Sequence, residues 1–453
     1  MARFNIKKGL HLPISGEPQP TLDTSLKVST VSLLGSDYHG IKPSFAVNEG
    51  DPVKLGQTLF TDKLMPEVRF TAPAAGRVVA IHRGEKRIFL SIVIQIEDER
   101  TERIEKFSSY NEYELNGLSA DKVRALLLQS GLWTALRTRP YSKIANPHSE
   151  PHSIFVTTMD TNPLALPIDK ILEGNMIFFQ NGLTAISKLT KGKIHLCKDK
   201  STTLSVQKFA NLEIHDFSGI HPAGNTGVHI HLIDPVSKHK TVWSINCQDV
   251  IDVGKLFMTG RLPSERIISL AGPGVINPRL VKTRVGASIL QLTKNQLKPG
   301  TWRVIGGSVY TGRAVKDEIV GYLGRFQQQI SVIEEDTQRR FLGWLSLGHN
   351  QFSKINLFLS RLFRNKKFDF TTSTNGSRRA MVPIGTYERV TPMNLIPTVL
   401  LRSLIVNDIE RAEQLGCLEL DEEDVALFSF VCPGKYDYGP ILRKNLELIE
   451  KEG

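Results

Sequence analysis

Between residues 31 and 95 apolar and polar positions alternate, with a turn every few residues, the period of short half-buried strands. "VNEGDPVKLGQTLF" sets a turn at Gly50-Asp51 and a second at Gly56. "FTAPAAGRVVAI" then places Pro73 and Gly76 ahead of Val78, Val79 and Ile81. The charged run "EDERTERIEKFSSYNEYE" reads as a solvated linker. Beyond it the period changes. Val123, Leu126 and Leu127 share a helical face, with Ser119 as N-cap and Gly131 as C-cap. "SIFVTTM" and "KIHLC" read as buried strands on either side of "MIFFQNGLTAISKLTKG", a strand-to-helix passage, so residues 110–257 predict an α/β domain. The β pattern returns from Arg266 to Ile305, broken at Gly272, Gly274 and Pro278. Helical spacing resumes in "NLIPTVLLRSLI" and in "DEEDVALFSFV", whose acidic run favours a helix N-terminus.

The two half-motifs of residues 31–95 resemble the barrel-sandwich of biotinyl and lipoyl carriers. Lys63 stands where such a carrier lysine would, yet the chain between the Gly56-Gln57 turn and Lys63 is short for a lysine-bearing hairpin. It reads as an unmodified surface lysine. The stretch from Arg266 through "TWRVIGGSVYTG" resembles a small β-grasp module. The expected architecture is an α+β multidomain chain in four parts. These are an N-terminal domain with the barrel-sandwich unit (1–100), an α/β domain (110–257), a β-grasp module (258–330) and a mostly helical C-terminal region (331–453).

Composition narrows the function classes. The 453 residues suffice for two to four domains with cores of their own. The apolar runs fall short of the ~18 residues of a membrane span, and "MARFNIKKGLHLPISG" lacks the apolar centre of a secretory signal. Four scattered cysteines form no Cys-x-x-Cys pair and predict reduced thiols in a cytoplasmic protein. The net charge of +11 suits an anionic membrane surface, an acidic partner or nucleic acid. The basic residues are dispersed and no nucleic-acid-binding motif is present, which favours the first two.

Several stretches carry candidate chemistry. In "FVCPGKYDYG" a Cys-Pro-Gly step resembles the end of an iron–sulfur ligand run, but Cys432 lacks companions two or three residues away. In "HPAGNTGVHIH", His229 and His231 would share a face of a strand, with His221 and Asp234 nearby. They read as satisfied strand histidines, and no metal site is expected. "IGGSVYTGR" reads as a turn, without the spacing of a phosphate-binding loop. In "SGLWTALRTRPYSK", Trp133, Arg137, Arg139 and Tyr141 set guanidiniums beside aromatics, which suits a planar ligand with carbonyl or anionic oxygens. The competing reading puts Trp133 and Leu136 in the core and pairs the arginines with carboxylates. No catalytic residue is expected.

The stretches "IKKGLHLPISG", "GLWTALRTRPYSK", "TTMDTNPLA", "VWSINCQDV", "ISLAGPGV", "TNGSRRAMVPIGTYE" and "ELDEEDVALFSFVCPGKYDYG" follow one another in order. On them the chain is identified as a member of the A-subunit family of bacterial Na+-translocating NADH:quinone reductases. The family in turn resembles flavin-binding, iron–sulfur subunits of NADH dehydrogenases that have lost their cofactors. Here "LWTALRTRPY" replaces a glycine-rich loop, Asp160-Thr161-Asn162-Pro163 replaces a Glu-x-x-Pro step, and Cys432 is what remains of the cysteines. The resemblance implies a peripheral subunit on the cytoplasmic face of the inner membrane, in a six-subunit complex that passes electrons from NADH to ubiquinone and exports Na+. It implies no FMN, iron–sulfur or lipoyl group on this chain, the flavins and iron–sulfur centres lying on neighbouring subunits. It also implies quinone binding, with Tyr38 and His39 as hydrogen-bonding partners, Trp133 stacking, and Arg137 and Arg139, beside Tyr141, stabilising a reduced quinone. The alternative is a structural adaptor that docks through its basic surface.

Overall fold

The computed structural model describes residues 2–97, 103–337, 347–353, 358–363 and 365–452. The alternating stretch folds as expected into a barrel-sandwich. Thr30–Leu34, Phe89–Ile96, Gly76–Arg83 and Pro52–Val53 form one antiparallel sheet, and Pro43–Phe45, Thr58–Asp62 and Arg69–Thr71 form the other. Val31, Val53, Leu59, Phe70 and Ile92 fill the space between them, and Phe60 stacks on Phe70 with ring centroids 4.5 Å apart. Thr58–Asp62 and Arg69–Thr71 make a hairpin whose loop begins at Lys63. The lysine-bearing hairpin that the spacing argued against is therefore present: the chain turns at Gly56 as expected, the Gln57 N–H donating to the Lys54 carbonyl, and turns again after Lys63, where the Val68 N–H donates to the Met65 carbonyl.

The first two strands leave this unit. Arg3–Ile6 pairs in parallel with Leu212–Gly219, and Gln19–Asp23 pairs in parallel with Arg279–Arg284. Each covers a sheet edge that would otherwise present unpaired backbone groups.

The α/β sheet runs Arg3–Ile6, Leu212–Gly219, Lys193–Asp199, Ser153–Thr158, Val242–Asn246, Arg137–Arg139, parallel except for the last. After Ser153–Thr158 the chain adds strands on one side, then crosses to add Val242–Asn246 on the other. The two strands flanking that reversal open a crevice at their carboxyl ends. Helix Ala120–Ser130 has the expected caps, Ser119 accepting from the Lys122 N–H and Gly131 in the left-handed region at φ 80°. Met176–Ser187 crosses Cys247–Thr259 so closely that a Cβ on Gly182 would overlap the Val250 carbonyl oxygen. Thr226–Ile233, expected as a strand, is a helix. It lies between the parallel strands Leu212–Gly219 and Val242–Asn246, and a parallel connection needs a crossover that helices supply. That requirement overrides the alternation of the segment.

The third unit is a mixed sheet ordered Arg313–Ala314, Trp302–Gly306, Gln329–Glu334, Glu265–Ala271, Arg279–Arg284, Gln19–Asp23, cored by Ile268, Leu270, Ile289 and Val332. The C-terminal helices Pro397–Val406, Ile409–Gln414, Glu422–Val431 and Tyr438–Glu452 share one core with the outer face of the α/β sheet. There Phe155, Phe217 and Val228 meet Leu400, Phe428 and Leu442. No helix among the described residues is long and apolar enough to cross a membrane.

Candidate functional site

The crevice at the sheet reversal encloses about 180 Å³. Thr157, Met159 and Asp160 line it from the end of one strand, Ser244 to Asn246 from the other, and Asn225 and Thr226 from the start of the helix they precede. The third unit closes it with Gly307, Ser308, Thr311 and Gly312 and with Phe326 to Gln329. The walls are chiefly amides and hydroxyls, groups that orient carbonyl or anionic oxygens. Asp160 accepts from both the backbone and side-chain nitrogens of Asn162 at 2.8 Å, yet burial holds its carboxyl above its ordinary pKa.

Arg137 is the cation of this crevice. Its guanidinium lies over the Phe326 ring, 4.6 Å from the centroid, and Nη1 is 3.7 Å from Asp421 Oδ2, beyond hydrogen-bond reach. Tyr38 is buried behind Phe326, edge-on to it at 6.3 Å and to Phe70 at 4.8 Å, and burial raises the pKa of its phenol. His39, half-buried, has Nε2 3.8 Å from Glu422 Oε1. Burial, then the Arg443 charge, pushes its pKa down to about 4.

Arg139 has a different occupation. It is completely buried, with Nη1 3.1 Å from Asp421 Oδ2 and 2.8 Å from Ser142 Oγ, and Nη2 3.2 Å from Glu423 Oε1. Arg443 donates to Asp421 and Glu422 from the other side and to the Tyr141 carbonyl. Burial raises Glu422 and Asp424 to about 7, each helped by a neighbouring carboxylate. Asp421 lies well below its usual range: burial opposes this, but the Arg139 charge, a hydrogen bond with Glu422 and the Arg137 and Arg443 charges together prevail. The run "DEED" thus starts a helix, with Asp421 as capping residue, and also supplies the counter-charges of the arginines. Trp133 is likewise spent internally. It is wholly buried, its indole N–H donates to the Ala145 carbonyl at 2.7 Å, and its ring meets Trp243 edge-on at 5.5 Å. Its expected stacking on a ligand would need a face that the core covers. Tyr141, half-buried with φ 75°, packs at the edge of the C-terminal core.

Of the six residues singled out, Tyr38 and Arg137 meet at Phe326, and His39 and Arg139 meet at the 421–424 carboxylates. Trp133 and Tyr141 lie apart from the crevice wall. Phe326 and Gln327 escaped the sequence reading because nothing near them marks chemistry. Ser308 stands in the "IGGSVYTG" turn and Asn162 in "DTNP", both visible as loops but not as facing each other.

The histidines of "HPAGNTGVHIH" go separate ways. His221 contacts Thr161 Oγ1 at 3.2 Å, and His229 Nε2 donates to the Ala223 carbonyl at 2.8 Å. His231 bonds Glu419 Oε2 and accepts from the Asn394 N–H, both at 2.8 Å. Cys432 is buried within hydrogen-bond reach of Tyr387 Oη at 3.1 Å and Tyr438 Oη at 3.4 Å, and the Tyr436 N–H donates to its sulfur. It serves as a polar partner of these three residues.

Barrel-sandwich, α/β sheet and mixed sheet, joined around a polar crevice and backed by a helical region, define a multidomain α+β protein. Residues 4–97 match the NqrA N-terminal barrel-sandwich hybrid domain, 118–262 the NqrA second alpha/beta domain, and 267–317 the NQRA C-terminal domain. The chain is 54% identical to the A-subunit of the Na(+)-translocating NADH-quinone reductase of Cellvibrio japonicus, over 99% of this chain and 100% of that one. It is 54% identical to the Haemophilus influenzae protein of that name and 53% to that of Pseudomonas aeruginosa, over the same shares. An NAD+-reducing [NiFe]-hydrogenase structure is only loosely similar, at 13% identity and a TM-score of 0.34, over 50% of this chain and 51% of that one. The chain belongs to the A-subunit family of the Na(+)-translocating NADH-quinone reductase, an oxidoreductase complex.

Proposed function

We propose that this chain is a peripheral subunit on the cytoplasmic face of a six-subunit complex that carries electrons from NADH to ubiquinone and exports Na+. Flavins and iron–sulfur centres lie on its partners, and this chain binds no FMN, iron–sulfur cluster or lipoyl group. Its own part is to hold the quinone headgroup at the crevice of the α/β sheet. Arg137 carries this reading: its fork stands at the crevice wall, stacked on Phe326 and only loosely paired with Asp421. A guanidinium so placed donates to a quinone carbonyl and favours the negative charge that grows on that oxygen during reduction. Arg139, Tyr38 and His39 hold the wall on which Arg137 sits.

Arg137→Lys in the assembled complex tests this. Lysine keeps the charge and loses the planar fork, so a charged hydrogen bond of ~1.5–3 kcal/mol is weakened and the quinone KM rises roughly tenfold or more. NADH oxidation by artificial acceptors and subunit content stay as in wild type. An unchanged KM with full subunit content overturns the quinone reading. The second reading, a structural adaptor, draws on the complete burial of Trp133 and Arg139 among protein partners. It expects Arg137→Lys to alter assembly and leave KM alone.

A further inference from the structure

At the opposite half of the same sheet, Lys193–Asp199 and Leu212–Gly219 run in parallel with His195 opposite Glu213 and Cys197 opposite His215. Glu213 and His215 are two residues apart, so both point to the face that carries His195. His195 Nδ1 lies 3.1 Å from His215 Nε2 and 3.9 Å from Glu213 Oε2, and His215 Nε2 lies 3.8 Å from that same oxygen. Ligands held at 2.0–2.1 Å around a tetrahedral Zn2+ stand ~3.3–3.4 Å from one another. The triangle brackets that spacing. A hydrogen bond between the imidazoles explains its short edge only. The carboxylate oxygen is too far from either nitrogen to accept a proton, yet close to ligand distance from both.

The surroundings suit a metal. Both imidazoles are under a tenth exposed, with Phe155 packed against His195 at 4.9 Å. Burial lowers the pKa of both rings, His195 to about 4, and so favours the neutral imidazole, which is the ligating form. Glu213 is half-exposed and reachable from solvent. One group opposes: Lys193 Nζ is 3.2 Å from Glu213 Oε1. Two other carboxylates act on these imidazoles: Asp234 is engaged by Ser153, His152 and Lys240, and Asp216 is paired with Lys198.

We propose that His195, Glu213 and His215 bind one first-row divalent metal ion, Zn2+ by their donor set, with water in the fourth position. Two imidazoles and one carboxylate are a recurrent zinc set, and hard cations such as Mg2+ prefer oxygen. The ion joins two adjacent strands away from the crevice, so its role is to clamp the sheet.

Untagged full-length chain, stripped with chelator, is titrated with Zn2+ by calorimetry, and with Co2+ followed by visible absorption. One equivalent binds, and Co2+ gives the intense spectrum of a tetrahedral site. His195→Gln and His215→Gln each weaken Zn2+ binding at least a hundredfold. Glu213→Gln, at a half-exposed position that leaves folding intact, weakens it about tenfold. Lys193→Met removes the opposing ammonium and tightens it severalfold. The proposal fails if wild type takes up no more Zn2+ than the His195→Gln, His215→Gln double variant. It also fails if Glu213→Gln binds as wild type does, if Lys193→Met weakens binding, or if a tenfold excess of Mg2+ displaces the Zn2+.

Discussion

Arg139 Nη1 stands 3.1 Å from Asp421 Oδ2 with both side chains buried, and this contact joins a strand of the α/β sheet to the cap of a C-terminal helix. Neither charge has water to turn to, so each depends on the other. The relation turns a candidate ligand-binding arginine into a connection between two units.

Arg139→Lys should therefore act on stability. The shorter, unforked ammonium cannot serve Asp421, Glu423 and Ser142 together, and breaking a buried pair costs about 3–5 kcal/mol. Lysine keeps the charge, so chemical denaturation of the purified chain should show a loss below that value, with less subunit in assembled membranes and an unaltered quinone KM per complex. A variant as stable as wild type but raised in KM would return Arg139 to the ligand.

His229 should set part of the pH dependence. Burial pushes its pKa down to about 4, while the unfolded chain titrates near 6.5. The unfolded state thus takes up a proton first on acidification. The contribution is full above pH 6.5 and is lost as the pH falls toward 4, about 2 kcal/mol of it between pH 7 and 5. Glu422 and Asp424, raised to about 7, act in the opposite sense over an overlapping range, so a difference is the proper measure. Between those two pH values His229→Gln should lose about 2 kcal/mol less than wild type. Equal losses would refute the assignment.

Cys432→Ala should cost about 1–3 kcal/mol, more than an apolar site of that size, because the Tyr436 N–H and the Tyr387 and Tyr438 phenols lose a common partner. Burial raises the thiol pKa, but these hydrogen bonds outweigh it and bring it below the ordinary value. Cys432→Ser should recover part of the loss. Electron transfer through a stably assembled complex should be unchanged in both variants, and a large drop in activity would instead reveal a redox or ligand role.

Gly182→Ala should destabilise the α/β unit by about 3 kcal/mol, since the added methyl must push helix Cys247–Thr259 away at the Val250 carbonyl. A Gly182→Ala chain that unfolds at the wild-type denaturant concentration would exclude the close helix crossing.

The helix Ala120–Ser130 and the strands of residues 31–95 were legible because their determinants are local: a serine cap, a left-handed glycine, a period of 3.6 or 2. The barrel-sandwich, the α/β domain and the acidic start of Glu422–Val431 were readable on the same ground, and the long ordered stretches marked the family. Packing decided the rest. Thr226–Ile233 became a helix because two parallel strands had to be joined, Arg3–Ile6 found its partner at Leu212–Gly219, and Trp133 and Arg139 were buried. His195 met Glu213 and His215 through strand register. Sequence by itself determined the type of the elements whose preferences lie between near neighbours in the chain, but not that of Thr226–Ile233, which the sheet connection decided. Only the tertiary structure decided which polar groups remain open to a ligand, because burial and charge pairing depend on segments distant in the chain that fold against one another.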